Sequence, residues 1–290
     1  MYDCYEMHMV WRRMRFVALF FLCSTFLLAA ERPIRIAPLP MVQSEVIVQG
    51  YQSLIAYLEA ELGIPFELVY YADYDLLLQK IAEKEIDIAF LGPLPYIELT
   101  RRTSDVRPMI RFVEADGDDT YTCTLFTTDY HAIDTIKELR GRKIALTQRY
   151  STCGYLAVER MLNESGESLQ NMDYRYTGSH TNVILDVTMG DFDAGSAKTS
   201  IVKKYAHLGL KKLKESPRFP GFLWVSSTAL DANVHEKIKR LMLSLDPRHN
   251  PEHAKITAAW IKNIRFGAVE AKDSDYDAIR GMLKSISIPE

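Results

Sequence analysis

The chain lacks a charge excess of either sign. Its 290 residues carry 35 Lys and Arg against 38 Asp and Glu, a formal net charge of −3. With no basic surplus to neutralise a phosphate backbone, nucleic acid is not an expected partner, and any anion must be held by local geometry. Cysteine is scarce: four occur, at positions 4, 23, 123 and 153. No C-x-x-C and no His/Cys cluster of metal spacing is present, so no metal or cofactor is expected. Beyond residue 30 no apolar run reaches the roughly 20 residues that a bilayer span needs. The G-x-S-x-G elbow, the H-E-x-x-H pair and the P-loop are all missing, which removes the common hydrolase, metalloprotease and nucleotide-hydrolysing chemistries. There is no internal repeat and no low-complexity segment.

What is present begins with an export signal. Arg12, Arg13 and Arg15 precede the apolar run Phe16–Ala30, which ends in small residues before Glu31 and Arg32. Basic, greasy, small is the order of a secretory signal peptide, expected over residues 1–30; an uncleaved anchor is the alternative, and translation from Met9 or Met14 would give a more ordinary signal. The bulk of the chain is therefore expected in the periplasm. Cys4 and Cys23 fall in the leader, so the mature chain keeps Cys123 and Cys153, and two cysteines in an oxidising compartment often form one disulfide.

From Arg32 on, short apolar runs alternate with amphipathic ones. Strands are expected at 34–37, 66–71 and 86–91, with helices at 48–62 and 74–83, the second capped by Asp73. Gly92 and Pro93 stop the third strand. The alternation restarts with strands at 121–127, 143–146, 174–176 and 193–197 and helices at 133–139, 152–165 and 181–189. The polar stretch EADGDDT (114–120) and SPRFPGF (216–222) mark two crossings, followed by a strand at 223–226 and several helices. The fold class is α/β: a two-lobed clamshell, each lobe a mainly parallel sheet flanked by helices. The expected division is lobe 1 over 31–117, lobe 2 over 118–221, and a return to lobe 1 over 222–290.

In open α/β sheets ligands sit beyond the carboxyl ends of strands. Tyr150–Tyr155, YSTCGY, follows a strand and opens a helix, so unpaired N–H groups, the helix dipole and the hydroxyls of Ser151 and Thr152 suit an oxyanion without Lys or Arg; ordinary N-capping explains the same residues. Thr177–Asn182, TGSHTN, offers a second helix start, where His180 is either a donor able to titrate near neutrality or a plain cap. Tyr74 and Tyr96 follow the second and third strands and are either cleft residues or helix–sheet packing. Lys198 is expected on the surface, with a cleft-facing charge as the alternative.

These segments resemble a known family. DIAFLGPLPY (87–96), STCGY (151–155), GSHTN (178–182), FDAGSA (192–197), SPRFPG (216–221), and the late Phe266 with DSDYDAIR (273–280) are similar, in order, to motifs of the phosphonate/phosphite/phosphate-binding proteins of ABC transporters. The resemblance implies a type II periplasmic-binding-protein fold, a small oxyanion held by Tyr74, Ser151, Thr152 and His180, with Tyr96 and Cys153 as further site positions, and docking on a membrane permease. A single copy is expected to be the binding unit. Cys153 stands where the family has serine. Phe222 and Ser200 stand where aminoalkyl-phosphonate binders place carboxylates, so a smaller or less polar ligand is implied. Two other functions follow from Cys153: a sensory binding protein presenting an oxyanion such as arsenite to a membrane histidine kinase, with Cys123 and Cys153 as thiols at the cleft, or a thiol enzyme pairing Cys153 with His180.

Overall fold

Strand-forming runs and helix caps assemble into two open sheets. A computed structural model describes residues 32–41 and 44–289; the expected leader lies outside these. The first sheet contains β1 (Ile34–Ala37), β2 (Phe66–Leu68), β3 (Ile88–Leu91), β4 (Val106–Phe112), β12 (Leu223–Ser227) and β13 (Ala268–Glu270), in the order β13-β4-β12-β3-β1-β2. The second contains β6 (Cys123–Thr128), β7 (Lys143–Leu146), β8 (Asp173–Tyr176), β9 (Ala194–Lys198) and β10 (Leu210–Glu215), in the order β10-β6-β9-β7-β8. Segments 113–122 and 216–222 connect the sheets. Within them β5 (Thr120–Tyr121) and β11 (Phe219–Pro220) pair antiparallel, so the two connections form one ribbon. Ile34–Glu290 is one compact unit.

The sheets are mixed, not mainly parallel. β1 runs parallel to β2 and β3, and β7 parallel to β8 and β9, as βαβ units require. β12 and β6 enter their sheets from the connecting ribbon, so they run against the strands that end beside it: β12 against β3 and β4, β6 against β9. The edge strands β13 and β10 are antiparallel as well.

Helices cover both sheets. α1 (Ser44–Leu62) buries Ile47, Tyr51, Leu54 and Leu58, the spacing of one helical face. In α2 (Tyr74–Ala82) Asp73 Oδ1 accepts the Leu76 N–H at 2.8 Å, the expected cap. α3 (Pro93–Arg102) is a helix where the sequence marks only the end of the third strand, at Gly92 and Pro93. Its prolines occupy the first turn, where an absent N–H costs nothing. β4 also escapes sequence reading because it contains Pro108, which the sheet accepts beside an irregularity in the β4–β12 register. On the second sheet, the chain after β7 makes a π-turn at Thr152–Leu156 and continues as α4 (Ala157–Asn163); α5 (His180–Met189) follows β8, and α6 (Thr199–Lys204) follows β9. The remaining helices are α7 (Ala232–Ser244), α8 (Pro251–Thr257) and α9 (Asp277–Met282).

Candidate functional site

The carboxyl end of β7 leads through Thr147 and Gln148 to the turn that carries Ser151, Thr152 and Cys153. Ser151 Oγ accepts the Gly154 N–H at 3.1 Å and so caps this turn. A Cβ on Gly154 would lie 2.2 Å from Thr147 Oγ1, so only glycine lets the turn pack this close to β7. The carboxyl end of β8 leads to Gly178, whose φ of +98° favours glycine, then to Ser179, which caps α5 through the Asn182 N–H at 3.1 Å, and to His180. From the first sheet come Leu39 after β1, Tyr74 at the start of α2, and Gly92 and Pro95 at the start of α3. Tyr121 of the ribbon and Phe222 at its end complete a cavity of about 10 Å³.

Tyr74, Ser151, Thr152, Cys153 and His180 are thus brought together, all buried. Four helical N-termini meet here, two from each sheet, and no Lys, Arg, Asp or Glu lines the cavity. Orphan N–H groups and helix dipoles give such a place positive potential without a formal charge. The two sides are bonded across it. Leu94 N–H, at the start of α3, donates to Thr152 Oγ1 at 3.0 Å. Tyr74 N–H donates to Gln148 Oε1 at 2.8 Å. Tyr121 is buried and borders the same cavity as Thr152. Burial raises the pKa of both Tyr74 and Tyr121, so both phenols stay neutral donors.

His180 does not titrate near neutrality. Burial, and secondarily the charge of Lys198, push its pKa down to about 3. Its Nδ1 accepts the Lys198 N–H at 3.1 Å, so the neutral ring carries its proton on Nε2. Lys198 is a further correction: it is not on the surface but 1% exposed. Its Nζ donates to Glu114 Oε1 at 2.6 Å and lies 5.1 Å from the Tyr121 ring centre and 4.9 Å from that of Phe222. Burial lowers its pKa, and the Glu114 carboxylate opposes that shift.

Tyr96 lies elsewhere. Its hydroxyl donates to Asp273 Oδ1 at 2.6 Å, its ring meets Tyr276 edge-on at 4.9 Å, and it is not among the cavity residues. Phe222 stacks between Phe90 and Tyr121 and presents an apolar wall. Ser200 faces a separate groove of about 540 Å³ that also receives Lys198 and Glu114. Cys153 is joined to Cys123 in a disulfide, with a Cα–Cα distance of 5.2 Å. Neither sulfur is a thiolate, which removes the Cys–His nucleophile and the thiol pair of the arsenite reading. Sequence reasoning misses Gln148, because the segment it marks starts at Tyr150, and Tyr121, which reads as an ordinary strand residue.

Two α/β sheets joined by a two-stranded ribbon, with a buried cavity of helix N-termini at the carboxyl ends of their strands, define a two-lobed clamshell binding protein. Comparison with known proteins agrees. A family model described as "ABC transporter, phosphonate, periplasmic substrate-binding protein" matches residues 36–276, and the chain belongs to that family. The phosphate-import protein PhnD of Mycolicibacterium smegmatis is 26% identical over 268 residues, 85% of this chain and 84% of the relative. A probable ABC transporter phosphite binding protein, PhnD1 of Prochlorococcus marinus, is 19% identical over 79% of this chain and 82% of its own. The solved structure of PhnD1 from that organism, in complex with methylphosphonate, superposes with a TM-score of 0.76 at 18% identity, covering 87% of this chain and 97% of that one. A binding protein component of a phosphonate transporter from Pseudomonas aeruginosa gives 0.74, covering 87% and 86%. The chain is a periplasmic solute-binding protein, not an enzyme, and it delivers a small oxyanion to a membrane ABC-transporter permease. Among the described residues no helix is long and apolar enough to cross a membrane, and no cluster of three His, Cys, Asp or Glu side chains is placed to hold a metal.

Proposed function

We propose that the ligand is a compact tetrahedral oxyanion bearing one non-polar substituent, of the phosphite or methylphosphonate type, and that it binds in the small cavity. The observation that carries this reading is the convergence of four helical N-termini on a cavity with no charged side chain. Ser151 and Thr152, with the main-chain N–H groups of their turn, hold the oxygens, and the His180 Nε2–H adds a neutral donor. Tyr74 and Tyr121 supply hydroxyls from the facing side. The cross-cleft hydrogen bonds must open for a solute to enter, so capture is a hinge motion that re-forms them around the ligand. Cys153 contributes main chain to the same turn, its sulfur being spent in the disulfide.

Selectivity follows from the wall opposite the donors. The side chains of Phe222, Pro95 and Leu39 offer no hydrogen-bond acceptor and no carboxylate. An aminoalkyl phosphonate would bury its ammonium there without a partner, and phosphate would bury a hydroxyl there; unpaired buried polar groups cost about 1–3 kcal/mol and charges more. A hydrogen or methyl substituent meets the wall without that penalty. The relative named for phosphite binding and the neighbour in complex with methylphosphonate support this ligand class, and the relative named for phosphate import supports a tetrahedral oxyanion without its non-polar substituent. Isothermal titration with phosphite, methylphosphonate, phosphate and 2-aminoethylphosphonate tests the order. The first two should bind more tightly than phosphate, and the amine should bind weakest. Tightest binding of the aminoalkyl compound would refute the reading.

A further inference from the structure

We infer that Gln148 is the latch of the closed clamshell, a positioning residue that acts on the ligand through Tyr74 and the His180 loop; this rests on the oxyanion reading above. Gln148 is 8% exposed and does not line the cavity. Its carboxamide makes bonds in both directions. Oε1 accepts the Tyr74 N–H at 2.8 Å, while Nε2 donates to Gly178 O at 2.9 Å and reaches Ala72 O at 3.5 Å. Gly178 stands two residues before His180. One planar group therefore ties the first sheet's Tyr74 to the loop that presents His180 on the second.

The chemistry requires an amide. A carboxylate would accept from Tyr74 but could not donate to Gly178 O, and an ammonium or guanidinium would do the reverse. The Tyr74 N–H is one of the first N–H groups of its helix, which have no intrahelical partner. Asp73 satisfies Leu76 N–H instead, so the Tyr74 N–H is capped from across the cleft. When the sheets part, water takes over this bond, whereas the anchor to Gly178 stays within the second sheet's own side. Gln148 thus contributes to the closed state and little to the open one. A contact made only after the ligand has entered slows its escape without speeding its arrival.

The test is stopped-flow fluorescence of the wild type, Gln148→Ala and Gln148→Met with methylphosphonate and phosphite. Methionine keeps the side-chain volume and drops both bonds, which separates latch from packing. Losing the bond to Tyr74, the one made only in the closed state, should raise the dissociation rate about tenfold in both variants, with the association rate within about threefold of the wild type; the lost bond to Gly178 O, present in both states, should lower the melting temperature without ligand by no more than about 2–4 °C. Unaltered dissociation in both variants overturns the latch, as does a slowed association at constant dissociation. A wild type that responds to neither ligand sinks the oxyanion reading and the latch together; a normal wild type beside normal variants sinks the latch alone.

Discussion

Lys198 fixes the state of His180 through its own main chain. The Lys198 N–H donates to His180 Nδ1 at 3.1 Å, and the buried ammonium of the same residue helps hold the ring neutral. His180, one of the cavity residues, is therefore a neutral ring and not a pH sensor.

A pH dependence follows. The folded-state pKa of about 3 lies below the ordinary 6.5, so as pH falls the unfolded chain takes up the proton first. The contribution of His180 to stability is full above about pH 6.5 and is lost between there and pH 3, by about 1.4 kcal/mol per pH unit at most. Urea unfolding of the wild type and His180→Gln at pH 7, 5 and 4 should show the variant losing stability more slowly on acidification. Parallel losses would contradict the buried neutral ring.

Ser151→Ala and Thr152→Ala should each weaken oxyanion binding by about 10- to 100-fold, the worth of one hydrogen bond to a charged group. Thr152→Ala should be the more severe, because it also strips the partner of Leu94 N–H across the cleft. Thr152→Ser, which keeps the oxygen, should recover most of the affinity. Calorimetric titration with methylphosphonate reads all three.

The disulfide should matter twice. Cys123 and Cys153 are 30 residues apart, and closing a loop of that size stabilises a chain by about 3–4 kcal/mol in the chain-entropy model. Cys153 also sits between Thr152 and Gly154, so Cys123→Ala/Cys153→Ala should lower both the urea midpoint and the ligand affinity. Loss of stability with intact affinity would show that the turn holds its shape unaided.

The Lys198–Glu114 pair should be asymmetric to mutation. Glu114→Gln leaves an ammonium buried between aromatic rings and should cost about 3 kcal/mol, whereas Lys198→Met removes the charge, keeps the stem and should cost much less. Equal losses, measured by urea unfolding, would mean that packing and not charge dominates there.

Much of this architecture is legible in the sequence because local rules and tertiary structure agree. Asp73 caps its helix, the 143–146 run is a strand at those bounds, and Ser151, Thr152 and His180 stand at helix starts as the spacing implies. What is not legible depends on distant partners. Pro93 and Pro95 look like a turn and are the first turn of a helix; Pro108 hides β4. Lys198 looks solvent-exposed until Glu114, Tyr121 and Phe222 close over it. Tyr96 follows a strand end as a site residue would, yet Asp273, 177 residues away, holds its hydroxyl. Gln148 stands two residues before the segment Tyr150–Tyr155 that the strand pattern marks, and only its partner Tyr74 shows its use.

The most direct test of the central claim is a crystal structure of the mature chain grown with methylphosphonate. The account predicts phosphorus density in the small cavity, with oxygens in hydrogen-bond reach of Ser151, Thr152 and His180 Nε2 and the methyl group against Phe222. Density for the ligand in the 540 Å³ groove beside Lys198, with the small cavity unoccupied, would contradict it.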